Sequence, residues 1–231
     1  MKCLIASTET AASKNLFHLL TRLAPEHEWG LTSTLSSVLP DVDIIFFFRW
    51  PRIVSPDTMS SSSAKLVVFH TSDLPHGRGG SPIQNQIVSG SIISRVNAIA
   101  MTSQVDAGDI YCSQDITLQG SADDIWMAIS HAACRLAMRV IEGAVPRPQV
   151  GEPSFFKRRR DNSLPRDADS LVNVHSFVQM LDGEGYPGSH IDHGNLRITL
   201  TRSSLRGDHV LCDARITLRD KDESASTRSS P

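Results

Sequence analysis

Two short stretches of this chain carry residue types suited to chemistry. The first, Leu66 to Gln84, opens on an apolar, β-branched run, Leu66-Val67-Val68-Phe69, that reads as a buried strand. His70 stands where that strand should end. Ser72, Asp73 and Pro75 follow, then the loop His76-Gly77-Arg78-Gly79-Gly80-Ser81-Pro82. Open α/β sheets bind ligands at the carboxyl ends of their strands, so an imidazole there, beside a flexible loop, has the layout of an acid–base site. The second stretch, Ala98 to Tyr111, repeats the pattern. A short apolar run leads into Val105-Asp106-Ala107-Gly108-Asp109, two carboxylates bracketing a small pair. Taken singly, each stretch also reads as ordinary structure: a packed histidine in one, a turn in the other. The Gly-rich loop has neither the GxGxxG spacing nor the lysine of a phosphate-binding fingerprint.

Taken together and in order, the stretches resemble the 10-formyltetrahydrofolate-dependent formyltransferases. This family includes methionyl-tRNA, glycinamide ribonucleotide and sugar N-formyltransferases. The resemblance rests on His70-Thr71-Ser72-Asp73-Leu74-Pro75, Arg78-Gly79, Pro82-Ile83-Gln84 and Val105-Asp106-Ala107-Gly108-Asp109, with a fitting gap between His70 and Asp106. It covers roughly residues 1–155. It implies that His70 and Asp106 are catalytic and that 10-formyltetrahydrofolate is the formyl donor. It also implies that Phe48, Arg49, Trp50, Val105 and Gly108 line the donor pocket, and that Ser72, Asp73, Arg78, Gly79 and Gly80 meet the substrate. Val68 departs from the pattern, because the family places a catalytic Asn two residues before its His. Ser72, Asp73 and Asn85 are the nearest polar candidates to stand in. The wording FHTSDLPHGRGGSPIQN is similar to a shorter branch associated with modification of amino sugars and other small amines.

Formyl transfer to an amine is acyl transfer: it needs donors aimed at an oxyanion and a group to take the amine's proton. The implied activity is N-formylation of a small primary amine, with an amino sugar as the leading candidate. A 10-formyltetrahydrofolate hydrolase and a non-catalytic folate-binding relative are the alternatives, the latter because Val68 cannot do what an Asn does.

Around these stretches the chain reads as an α/β protein: a Rossmann-like, mostly parallel sheet flanked by helices, with a small C-terminal α+β appendage. The expected division is a catalytic region over 1–155, an α+β region over 156–219 and a disordered tail over 220–231, which lacks apolar periodicity. Strands are expected at Cys3–Ala6, Asp43–Phe48, Ile92–Met101 and Ile110–Leu118, the last two paired. Alternating residues at 196–200 and 214–218 suggest half-buried strands. Helices are expected over Ala11–Leu23, from Pro56, over Pro82–Ser89, after the cap Ser121, and over Asp167–Leu181. Leu31 to Leu39 is ambiguous. Trp50 either borders a flat heterocycle or packs under its loop. The run Lys157-Arg158-Arg159-Arg160 either meets a substrate phosphate or is solvated.

The 231 residues carry a formal net charge of −2. That balance argues against a nucleic-acid partner. Four cysteines without metal-ligand spacing suggest core residues or free thiols rather than a zinc site or a disulfide frame. No apolar run approaches the roughly 20 residues of a membrane span. A cytoplasmic protein with a small-molecule amine as partner, no metal and no membrane contact is therefore expected, and a homodimer is left open.

Overall fold

The computed structural model describes residues 1–36 and 39–219. The tail expected over 220–231 lies outside the described residues. In chain order the elements are β1 (Lys2–Ser7), α1 (Ala11–Leu23), β2 (Glu28–Thr32), β3 (Ile44–Phe48), α2 (Pro56–Ser60), β4 (Lys65–Thr71), β5 (Arg78–Gly79), α3 (Pro82–Val88), β6 (Ile93–Ala100), β7 (Ile110–Thr117), α4 (Ala122–Ile141), β8 (Phe155–Phe156), α5 (Leu171–Gln179), β9 (Ser189–His193), β10 (Leu196–Arg206) and β11 (His209–Leu218).

Six strands form the main sheet in the order β2-β1-β3-β4-β6-β7. Pairings among β2, β1, β3 and β4 are parallel, and β6 is antiparallel to both its neighbours, so only β6 is reversed. β3 is central and its five residues, IIFFF, are all buried, as a strand covered on both faces requires. The two faces are covered differently. One packs Ile5, Phe46, Phe48 and Val67 against Leu16 and Leu20 of α1 and Ile125, Ile129 and Leu136 of α4. The other carries a smaller cluster, Ala6, Ile45, Phe47, Leu66 and Val68, beneath the loop residues Leu35, Leu39, Val42 and Val54.

Four of the five helices begin where a side chain satisfies one of the first amide groups. Thr10 and Ser13 form a reciprocal capping box on α1, and Ser121 and Asp124 do the same on α4. Ser55 and Ser170 cap α2 and α5. The helix expected from Asp167 starts only at Leu171, after that cap. The C-terminal segment builds a three-stranded antiparallel sheet, β11-β10-β9, with α5 against it. Phe177, Met180 and Leu181 are buried in the same cluster as α1 and α4, so the appendage shares the main core. A second link is the parallel pairing of β5 with β8, which lays Phe155-Phe156 beside Arg78-Gly79. The boundary expected at residue 155 therefore falls inside a strand.

Cys3, Cys112 and Cys134 are buried free thiols and Cys212 is a partly exposed one. Among the described residues no cluster of three His, Cys, Asp or Glu side chains could hold a metal ion, and no helix is long and apolar enough to cross a membrane.

Candidate active site

The site grows from the end of β4. Alternation along the strand puts Leu66, Val68 and His70 on the face of the smaller cluster. His70 is the strand's penultimate residue and is 5% exposed. Its Nδ1 lies 3.3 Å from Asp106 Oδ2, and its Nε2 lies 2.9 Å from the Gly77 carbonyl oxygen. Both neighbours present acceptor oxygens, so each contact is a hydrogen bond when the ring nitrogen facing it carries the proton.

Asp106 arrives by a less direct route. The loop that carries it starts and ends beside the beginning of β4: Met101 N–H donates to Leu66 O at 3.0 Å, and Ala100 N–H donates to Asp109 O at 2.9 Å. The loop then doubles back along the sheet face to reach His70. At its apex Asp106 takes a left-handed backbone, φ 52°, a conformation that Asp tolerates better than most residues. Its Oδ2 also accepts the Gly79 N–H at 2.9 Å. Burial alone would raise the Asp106 carboxyl. The His70 contact, the Gly79 N–H and the nearby Arg78 charge outweigh it and hold the carboxyl below the ordinary carboxylate range.

The neighbouring strand supplies a fixed backing. Asn97 of β6 stands opposite His70 in register and is 1% exposed. Its Nδ2 donates to Ser72 O at 2.7 Å, and its Oδ1 accepts from Ser113 Oγ at 2.7 Å. Three further polar atoms mark the same carboxyl edge. Thr8 follows β1, Trp50 follows β3 and Ser72 follows β4; Thr8 Oγ1, Trp50 Nε1 and Ser72 Oγ are buried and have no partner among the described residues. An unmet buried polar group costs about 1–3 kcal/mol, so these three call for a partner from outside the protein, water or ligand.

Comparison with known proteins gives this arrangement its context. A family model described as the C-terminal domain of methionyl-tRNA formyltransferase matches residues 159–217. The solved structure of a methionyl-tRNA formyltransferase from Clostridium thermocellum is 29% identical, with a TM-score of 0.85 over 95% of this chain and 100% of that one. The chain is thus similar in sequence and fold to formyltransferases. HypX from Aquifex aeolicus, solved in complex with tetrahydrofolic acid, shares the fold at 15% identity and a TM-score of 0.69 over 87% of this chain and 37% of that one. An N-formyltransferase from Helicobacter canadensis, solved with folinic acid and dTDP-3-aminofucose, shares it at 12% identity and a TM-score of 0.61, over 86% of this chain and 94% of that one.

The residues singled out from sequence divide clearly. His70, Asp106, Gly79 and Ser72 come together at the end of β4. Arg78 joins them indirectly, donating through Nε and Nη2 to Gln149 Oε1 at 3.1 and 2.7 Å. Trp50 sits in the cluster on the His70 face, edge-on to Phe47 at 5.9 Å. Val105 is exposed beside Asp106. Phe48 and Arg49 go elsewhere. The Phe48 side chain is buried on the opposite face, edge-on to Trp126 at 5.9 Å. The Arg49 guanidinium lies 4.3 Å from the centre of the Trp126 ring and 5.5 Å from that of Tyr186, and donates to Glu184 O at 3.1 Å. Asp73 points to solvent in an exposed pair with Arg95 at 3.0 Å.

The glycines serve packing. A Cβ on Gly108 would run into the Ala100 carbonyl, and one on Gly79 (φ 98°) would lie 2.7 Å from the Phe156 carbonyl oxygen. Gly80 is likewise closed in by Arg158. Asn85, one candidate for the missing Asn, donates instead to the Gly80, Ser81 and Lys157 carbonyls. Arg159 of the basic run donates its backbone N–H to Ser81 Oγ at 3.1 Å. Sequence reasoning passed over Asn97 and Gln149. Asn97 left a faint signal, a polar residue inside the apolar run Val96–Ile99; Gln149, in a Pro-rich connection, left none.

Proposed function

We propose that this protein transfers a formyl group from 10-formyltetrahydrofolate to the primary amine of a small molecule, with a nucleotide-linked amino sugar as the preferred acceptor class. The observation that carries the reading is the buried His70–Asp106 pair, 3.3 Å apart at the carboxyl end of β4. The donor's chemistry would be an activated formyl carbon open to attack by an amine. Trp50, Ser72 and Thr8 fit a flat, polar ligand, offering one aromatic surface and three unmet polar atoms. The tetrahydrofolate and folinic acid in the HypX and Helicobacter canadensis structures support a folate as donor.

With Nδ1 held by Asp106, His70 Nε2 would exchange its contact with the Gly77 carbonyl for one with the ligand, taking the proton that the amine loses and giving it to the leaving nitrogen of the donor. Asp106 orients the ring and stays ionised to balance its charge. Val68 offers no donor where the family pattern has an Asn. Ser72, two residues beyond His70 on the same face, has the nearest unmet hydroxyl and is the residue we assign to that role.

The test is release of tetrahydrofolate from 10-formyltetrahydrofolate in the presence of a panel of amines. The expected result is turnover with at least one amino-sugar nucleotide. His70→Ala and Asp106→Ala should each lower kcat by about 100- to 1000-fold. Full activity in both variants rules the roles out. Formate release without amine would mark a hydrolase, and binding without turnover a non-catalytic relative.

A second reading has a specific observation behind it. The match to a methionyl-tRNA formyltransferase C-terminal domain and the Clostridium thermocellum structure favour methionyl-tRNA as acceptor. Against it, residues 156–219 hold ten Lys and Arg against eight Asp and Glu, a weak surplus for a phosphate backbone. Methionyl-tRNA therefore belongs in the panel, assayed at low salt, where such binding is strongest.

A further inference from the structure

We propose that Gln149 is a positioning residue for the His70–Asp106 pair. It lies in the connection between α4 and β8, which reads as a linker. That connection is a strap laced across both loops of the site. It is anchored at one end by Ile110 N–H to Arg147 O (2.8 Å) and Arg147 N–H to Ile110 O (3.0 Å). At the other end Arg78 N–H donates to Ser154 O at 3.0 Å, and Gly77 N–H to Ser154 Oγ at 3.0 Å. Gln149 stands between these anchors.

A glutamine side chain offers two donors and two acceptor sites, and here all four are used. Oε1 takes both Arg78 bonds, while Nε2 donates to Asp106 O at 2.9 Å and to Gly108 O at 2.8 Å. The partners fix the orientation. A flipped amide would set NH₂ against a guanidinium and oxygen against two carbonyls. One half-buried side chain thus joins the loop that carries Asp106 to the loop that carries Arg78 and Gly79.

The bond to the Asp106 carbonyl matters most. Asp106 is held in a left-handed conformation that is unfavourable for a non-glycine residue and persists only where its surroundings enforce it. Gln149 grips the carbonyls of Asp106 and Gly108, the residues on either side of Ala107. Without that grip the loop can relax toward ordinary backbone angles, and the carboxylate turns away from His70 Nδ1 and Gly79 N–H. Gln149 need not touch substrate to govern the rate.

Two near-isosteric variants separate this role from simple bracing. Gln149→Met removes all four bonds at similar volume. Gln149→Glu keeps an acceptor for Arg78 but sets an oxygen against the two carbonyls. The kinetic readout rests on the formyl-transfer reading. Both variants are expected to lower kcat about 10- to 100-fold with KM for either substrate changed less than about 3-fold. Gln149→Met combined with Asp106→Asn should fall no further than Asp106→Asn alone. The second readout needs no turnover: the Asp106 carboxyl resonance, followed by NMR against pH, should titrate upward toward the ordinary carboxylate range in Gln149→Met. Rescue of kcat by Gln149→Glu would mean that Gln149 serves only Arg78 and would overturn the proposal. So would additive losses in the double variant, or an unmoved Asp106 titration. Absence of turnover in the unaltered protein with every amine would count against formyl transfer alone, and the titration would still decide the role of Gln149.

Discussion

The Asp106 carboxylate does two things at once: it orients His70 and it fastens the Gly79 end of the opposite loop. Its stability contribution therefore depends on pH in a fixed sense. The carboxyl is held below its unfolded value, so the contribution is complete above about pH 4 and is lost as pH falls through the lower folded value. Asp106→Asn should cost on the order of 1–3 kcal/mol at neutral pH, as expected for losing hydrogen bonds to a charged group. In urea titrations at several pH values, the gap between the unaltered protein and the variant should be flat from pH 8 to 5 and narrow below 4. A gap that widens with acidity would contradict this account. His70 and Asp106 were legible from sequence because an imidazole and a carboxylate at strand and loop ends are chemically conspicuous. Asn97 and Gln149 act by amide hydrogen bonds to backbone, a function that composition and periodicity do not encode.

At the scale of elements, the site depends on how closely three backbones approach. β5 pairs with β8 only because Gly79 has no side chain, and the Asp106 loop closes on Ala100 only because Gly108 has none. Gly79→Ala adds an unfavourable positive φ to a 2.7 Å clash with Phe156 O. It should lower stability by roughly 1–3 kcal/mol, with a measurable fall in Tm. Gly108→Ala meets a carbonyl head-on and should be the worse of the two. Equal Tm values for both variants and the unaltered protein would show that these contacts yield easily. Long elements were readable: α1 spans the expected residues, α4 starts at its expected cap, and β6 and β7 pair as expected, because caps and periodic apolar stripes extend over many residues. β5 and β8, two residues each, carry no period, so the contact that shapes the Arg78–Gly79 loop was invisible. The glycines, expected to admit a ligand, instead admit neighbouring backbone.

At the scale of the molecule, α5 ties the three-stranded sheet to the core of the six-stranded one, which predicts one cooperative unit. α5 contributes Phe177, Met180 and Leu181 to the core built by α1, α4 and the main sheet. Arg49 bridges the two regions: its guanidinium lies over Trp126 of α4 and near Tyr186, whose hydroxyl accepts from Trp126 Nε1 at 2.9 Å. Burial pulls its pKa down, opposed by the Tyr186 hydroxyl and the Glu184 and Asp123 carboxylates, which favour the cation. Glu184 also accepts the Ala11 N–H at the start of α1, at 2.6 Å, a favourable place for a carboxylate. Two consequences follow from one shared core. A fragment ending at residue 155 leaves the apolar surface under α5 open and should aggregate rather than fold. The full chain should unfold in urea in a single transition, with the same midpoint by tryptophan fluorescence and far-ultraviolet circular dichroism. Arg49→Ala, which removes a desolvated cation–π contact worth about 2 kcal/mol, should lower both midpoints together. Were residues 156–219 an independent domain, the variant would instead split the transition, moving fluorescence from Trp126 while the bulk of the secondary structure held.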